Sequence, residues 1–121
     1  MTKKRVQSFK YAIEGLAAAV RDQPNLVVQL CIAAIVLAAG FYFQISKAEW
    51  LIITLTIGFV ITFELTNTAI EEIVDSFTNQ VHPAAKKAKD VSAAAVLIAA
   101  ITAVVIGIMV FLPYILAIFL K

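Results

Sequence analysis

Residues 50–75 read WLIITLTIGFVITFELTNTAIEEIVD: fourteen residues from Trp50 to Phe63 without an ionisable side chain, then a run from Glu64 to Asp75 holding four carboxylates and the amide of Asn67. A membrane-spanning helix needs about 20 predominantly apolar residues, so the apolar stretch is too short and the acidic run must complete the span. Glu64 is therefore expected near the membrane–water boundary rather than at the bilayer centre. An ionisable side chain on a membrane helix costs a few kcal/mol at least, so it marks by default a substrate, ion or proton site. At about 100° per residue, Glu64, Asn67, Thr68, Glu71 and Asp75 fall within one stripe roughly 100° wide. A rise of about 1.5 Å per residue separates Glu64 from Glu71 by about 10 Å and sets Asp75 about 6 Å further on. That spacing suits a catalytic carboxylate at one end of a rail and cation ligands at the other. Glu72 lies off the stripe and receives no role.

The rest of the chain agrees with a bilayer as solvent. Of 121 residues, 62% are hydrophobic and the mean hydropathy is +0.94, well above the ~45–50% apolar content of an ordinary globular domain. The expected fold class is an all-α membrane protein, a single domain over residues 1–121, with a surface helix at 1–22 and transmembrane helices at 26–44, 50–75 and 87–120. In residues 1–22, Val6, Phe9, Ile13, Leu16, Ala17 and Val20 recur at helical spacing while Lys3, Lys4, Lys10, Glu14 and Arg21 lie largely elsewhere, the pattern of an amphipathic helix lying in the interface. Lys3, Lys4, Arg5, Lys10 and Arg21 precede the first span, and Lys86, Lys87 and Lys89 lie before the third. The positive-inside rule puts both segments, and the N-terminus, in the cytoplasm and the C-terminus outside.

Several chemistries are excluded. The four glycines are scattered, so neither a Walker loop nor a dinucleotide fingerprint exists, and any nucleotide must be held by side chains and a divalent cation. Cys31 is the only cysteine; it forms no intrachain disulfide and reads as a small core residue. His82, the only histidine, excludes a histidine metal cluster and reads as part of a loop or turn. Pro83 is expected to end the second span or begin the third. The run KKAKD at Lys86 to Asp90 reads first as the charge flanking a span. Lys89 and Asp90 sit where they can meet the acidic stripe, and a lysine there can hold a phosphate as a point charge. Carboxylates, a divalent cation and a lysine are the parts that phosphoryl transfer requires. Two non-enzymatic readings stand beside it: an oligomer whose stripe lines a cation or proton path, and a structural subunit in which Lys89 pairs with Asp75 or Glu71.

The pattern E-x-x-N-x-x-x-E-x-x-x-D at Glu64, Asn67, Glu71 and Asp75, followed by A-K-D at Ala88 to Asp90, resembles the prokaryotic diacylglycerol kinase family, which includes the undecaprenol kinases of Gram-positive bacteria. The likeness extends to Y-A-x-x-G-L at Tyr11 to Leu16 and to the loop HPAAKKAKD; these favour the undecaprenol branch, with diacylglycerol as the alternative acceptor. The resemblance implies a lipid kinase of the cell membrane that uses ATP and Mg²⁺, working as a homotrimer with sites shared between subunits. No nucleic-acid partner is implied. In that likeness Glu64 is the general base, with Asn67 supporting it and Asp75 in a supporting place. Glu71 is a metal ligand. Lys4, Tyr11, His82, Lys89 and Asp90 are expected at the nucleotide, and Glu64, Trp50 and Ala93 at the lipid. One position departs: where the family has a second metal-binding glutamate after the surface helix, this chain has Gln23. An amide oxygen can ligate Mg²⁺ but brings no charge, so weaker cation binding and reduced activity are expected.

Overall fold

The computed structural model describes residues 2–121. Four helices follow one another: α1 at Lys3–Asp22, α2 at Pro24–Phe43, α3 at Lys47–Phe77 and α4 at Pro83–Phe119. The last three are long and apolar enough to cross a membrane; the chain is a multi-pass membrane protein.

Local chemistry explains each break. Pro24 forces the preceding residue out of helical conformation, and Gln23 accordingly sits at φ −119°, ψ 98° between α1 and α2. Proline itself is well placed at the first position of a helix, where no backbone N–H is needed. At the other end of α2, Gln44 adopts the left-handed conformation, φ 53° and ψ 51°, and its N–H closes on the carbonyls of Gly40 and Phe41. Left-handed C-caps are most often glycine; here a glutamine carries the strain. Three residues, Gln44 to Ser46, then suffice to reverse the chain. Ser46 and Glu49 form a reciprocal capping box, with Ser46 N–H donating to Glu49 Oε2 at 2.7 Å and Glu49 N–H to Ser46 Oγ at 3.2 Å. α4 starts four residues before its expected boundary, because Pro83 takes the first helical position and the Nδ1 of His82 caps it by accepting the Ala84 N–H at 3.1 Å. Lys86 and Lys87 are thereby helical rather than part of a loop.

α2, α3 and α4 run antiparallel in turn, so the N-terminal end of α2, the C-terminal end of α3 and the N-terminal end of α4 share one end of the bundle. The tightest packing lies at the opposite end, around the α2–α3 turn. Ile45, Ile53 and Val110 form a buried cluster against which Phe43, Trp50, Phe111 and Tyr114 pack. Gly40 is buried in the seat of the Trp50 indole, and a Cβ built there would come within 2.6 Å of the ring. Tyr114 donates its hydroxyl proton to Glu49 Oε2 at 2.6 Å, tying the capping box to α4.

α3 and α4 are in contact along more of their length than α2 and α3. At 37 residues and about 1.5 Å per residue, α4 is about 55 Å long, whereas the hydrocarbon core is about 30 Å. Its first turns, with Lys86, Lys87, Lys89 and Asp90, therefore project past the apolar layer. Large side chains such as Leu51, Leu55, Phe59, Leu97, Ile101 and Val104 are exposed on the bundle surface, as a lipid-solvated face requires. Cys31 is on that surface too. The expectation that it would be a core residue is corrected, since α2 is apolar all round and the periodicity of its sequence does not say which side is covered.

Candidate phosphoryl-transfer site

Glu64 stands about fourteen residues, or about 21 Å, along α3 from Trp50, and it is buried, with 3% of its surface exposed. Thr68, one turn on, donates its hydroxyl to the Glu64 backbone carbonyl at 3.0 Å and so leaves the carboxylate free. Among the described residues no enclosed side-chain oxygen or nitrogen lacks a partner. Among the described residues none donates a hydrogen bond to the Glu64 carboxylate, so its oxygens are not fully sealed in. A shielded carboxylate with no hydrogen bond already on it is suited to taking a proton from an incoming group.

From Glu64 toward the end of α3, the stripe becomes a ladder of hydrogen bonds shared with α4. Asn67 Nδ2 donates to Glu71 Oε1 at 3.2 Å. Ser92 Oγ lies 2.6 Å from Asn67 Oδ1 and 3.0 Å from the Lys89 backbone carbonyl. The Lys89 ammonium donates to Asp75 Oδ1 at 2.8 Å. Residues 67, 71 and 75 are successive i, i+4 neighbours on α3, while 89 and 92 are i, i+3 neighbours on α4, so Asn67–Glu71 and Ser92–Lys89 run along a helix while Ser92–Asn67 and Lys89–Asp75 cross from one helix to the other. Asp90 pairs within α4 with Lys86. The two cross-helix pairs hold α3 and α4 in a fixed register where their charged ends leave the bilayer.

Two hollows border the ladder. One, of about 550 Å³, runs along the α3–α4 flank between Phe63, Asn67, Lys87, Val91 and Ser92. The other, of about 320 Å³, lies at the mouth of the helix pair, where Asp75, His82, Lys89 and Asp90 share one wall. Glu64, Asn67, Glu71, Asp75, Lys89, Asp90 and His82 thus fall along one end of the α3–α4 pair. The remaining candidates lie elsewhere on the single chain. Lys4 and Tyr11 are exposed on α1, and Gln23 is half-buried at the α1–α2 break. Trp50 is seated on Gly40 at the far end of the bundle, and Ala93 is exposed beside Ser92. Ser92 itself, buried at 8% exposed, was not among the residues singled out by sequence. It sits in a run of small residues, SAAA at 92–95, and only its facing position against Asn67 distinguishes it from an alanine.

Comparison with known proteins shows the family. Residues 10–111 match the prokaryotic diacylglycerol kinase family. The chain is 42% identical over 107 residues to the undecaprenol kinase of Bacillus subtilis, an alignment covering 88% of this chain and 87% of that protein. It is 32% identical over 121 residues to a diacylglycerol kinase of Helicobacter pylori strain 26695, covering 98% and 90% of the two chains. To a diacylglycerol kinase of Synechocystis it is 37% identical over 107 residues, covering 88% of this chain and 61% of that one. With the match covering α2, α3, most of α4 and the whole α3–α4 ladder, the chain belongs to the prokaryotic diacylglycerol kinase family and is a lipid kinase.

Proposed function

We propose that this lipid kinase is an undecaprenol kinase, transferring the γ-phosphate of ATP to the primary hydroxyl of undecaprenol at the cytoplasmic face of the plasma membrane. The observation that carries the proposal is the α3–α4 ladder, which sets a buried carboxylate, without a hydrogen-bond partner among the described residues, at one end of a row of acidic, amide and lysine groups. The 42% identity to the Bacillus subtilis undecaprenol kinase supports the choice of acceptor. The names of the Helicobacter and Synechocystis relatives support diacylglycerol as the second reading, since it too presents a primary hydroxyl at headgroup depth.

In this reading Glu64 takes the proton of the lipid hydroxyl. The hydroxyl oxygen forms its bond to the γ-phosphorus as the bond from that phosphorus to the β–γ bridging oxygen breaks, and the products are the lipid phosphate and ADP. Lys89 and Asp90 serve the nucleotide from the hollow they share with His82 and Asp75. Lys89 is already paired to Asp75, so a phosphate competes with that carboxylate for the ammonium and leaves Asp75 to keep the lysine at the mouth of the site. Lys4 and Tyr11 approach the nucleotide from α1, an amphipathic helix along the cytoplasmic surface, and Ala93 borders the lipid. Trp50, in its seat on Gly40, acts at the lipid through the packing of α2 and α3.

The donor set fits Mg²⁺ as nucleotide-dependent enzymes hold it, by one or two carboxylates with phosphates and water completing the shell. Among the described residues no three acidic, histidine or cysteine side chains converge on one point, so the substrate phosphates must supply much of the coordination. Glu71 would be the charged ligand, with Gln23 a neutral one. When bound, the cation neutralises charge on the transferred phosphate. A homotrimer gives this arrangement its missing parts: it covers exposed apolar faces and lets α1 and Gln23 of one copy meet the ladder of another.

The test is transfer of labelled γ-phosphate from Mg-ATP by the purified chain, with undecaprenol and diacylglycerol offered at equal surface concentration. Preferential labelling of undecaprenol is expected. Preferential labelling of diacylglycerol would overturn the choice of acceptor, and labelling of neither would overturn the kinase reading.

A further inference from the structure

The Ser92 hydroxyl has one proton to donate and two lone pairs to accept with, yet its oxygen lies within hydrogen-bond distance of two acceptors, Asn67 Oδ1 at 2.6 Å and the Lys89 carbonyl at 3.0 Å. Only one can receive the proton at a time, so two arrangements are available. In the first the proton goes to Asn67 Oδ1. The amide is then fixed with its N–H₂ toward Glu71 Oε1, at 3.2 Å. In the second the proton turns to the Lys89 carbonyl, a back-bond within reach of a helical serine. Ser92 Oγ then accepts from the Asn67 N–H₂ after a half-turn of the amide, and the amide oxygen faces the Glu71 side. The first arrangement suits a bare Glu71 carboxylate. The second suits Glu71 with a divalent cation on it, because an N–H₂ group would repel the cation whereas an amide oxygen adds a neutral hard donor.

We propose that Ser92 is a positioning residue that supports both orientations of Asn67, offering the amide N–H₂ to free Glu71 and the amide oxygen to a divalent cation bound at Glu71. The inference rests on the kinase reading above. An alanine, or any side chain lacking the hydroxyl, serves neither arrangement, since it leaves the inner end of the amide without a partner in a half-buried setting. A purely packing role at 92 makes a different demand, for small volume and not for an oxygen. The two roles separate in a pair of equal shape. Threonine and valine differ by hydroxyl against methyl in nearly the same volume, and a hollow of about 550 Å³ borders Ser92, so any cost of the added methyl is common to both.

The experiment measures Mn²⁺ affinity by electron paramagnetic resonance on the full chain in detergent with a non-hydrolysable ATP analogue, for the unsubstituted protein, Ser92→Thr and Ser92→Val. Loss of a partner that orients a ligand costs about 10-fold or more in metal affinity, so Ser92→Val should weaken Mn²⁺ binding by about that factor while Ser92→Thr stays near the unsubstituted value. In an Asn67→Ala background the difference between the two should vanish. Equal affinities for the Thr and Val variants, or a difference that persists without Asn67, overturn the inference while leaving the kinase reading intact. Failure of the unsubstituted protein both to bind Mn²⁺ with nucleotide and to transfer phosphate overturns that reading and this inference with it.

Discussion

At the scale of single residues, charge and its absence decide the chemistry. Gln23 is the instructive case. It occupies the break between α1 and α2, where the family resemblance places a second metal-binding glutamate, and an amide brings an oxygen without a charge. Mg²⁺ binds through hard and preferably anionic oxygens, so Gln23→Glu should lower the Mg²⁺ concentration at half-maximal activity, by about 10-fold if the carboxylate joins the shell, and raise the maximal rate. A Mg²⁺ titration of the transfer reaction checks this, and an unchanged half-saturation would show that position 23 is no ligand in this chain. Glu72 is the internal control. It is exposed and lies off the stripe, so Glu72→Gln should leave the transfer rate within about twofold, as surface substitutions away from a site do.

At the scale of the helices, the bundle is held by a few specific contacts rather than by a large core. Gly40 meets the Trp50 ring at a distance that leaves no room for a methyl group. Gly40→Ala should therefore destabilise the α2–α3 hairpin by about 1–3 kcal/mol, the usual cost of overpacking, seen as a lower thermal midpoint in detergent. Trp50→Leu in the same background should recover part of the loss, since it removes the ring that the new methyl strikes. Gln44 offers the opposite change. It holds a left-handed conformation at φ 53° that costs a side-chain-bearing residue about 1–2 kcal/mol, so Gln44→Gly should raise the midpoint. The helices themselves were legible in the sequence, because long apolar runs, with Pro83 marking the start of the third span, leave few other options in lipid. So was the acidic stripe, because helical periodicity alone puts Glu64, Asn67, Glu71 and Asp75 on one face. What helix faces another was not legible. Ser92 against Asn67 and Tyr114 against Glu49 join residues 25 and 65 positions apart, and no local pattern encodes such pairings. Cys31 came out exposed for the same reason: on a helix apolar all round, sequence cannot distinguish a side covered by protein from one covered by lipid.

At the scale of the whole molecule, two features belong together. Only seven hydrophobic side chains are buried among the described residues, those of Ala19, Leu26, Ala33, Ile45, Ile53, Val60 and Val110, and the candidate groups on α1, Lys4 and Tyr11, are exposed. A single copy therefore neither shields its acidic stripe completely nor brings every candidate residue together. The proposed trimer answers both needs, and it makes Glu64 the point at which membrane depth, burial and chemistry meet. The most direct test of the account is phosphate transfer to undecaprenol by Glu64→Gln compared with the unsubstituted chain, with nucleotide binding measured on the same preparations. Removing a general base costs about 10²–10⁴-fold in rate, so turnover should fall by at least that factor while nucleotide affinity stays within about twofold, the amide being equal in size and about 10 Å from Glu71 along the helix. Turnover retained in Glu64→Gln, or lost together with nucleotide binding, would contradict the assignment of this buried carboxylate as the base.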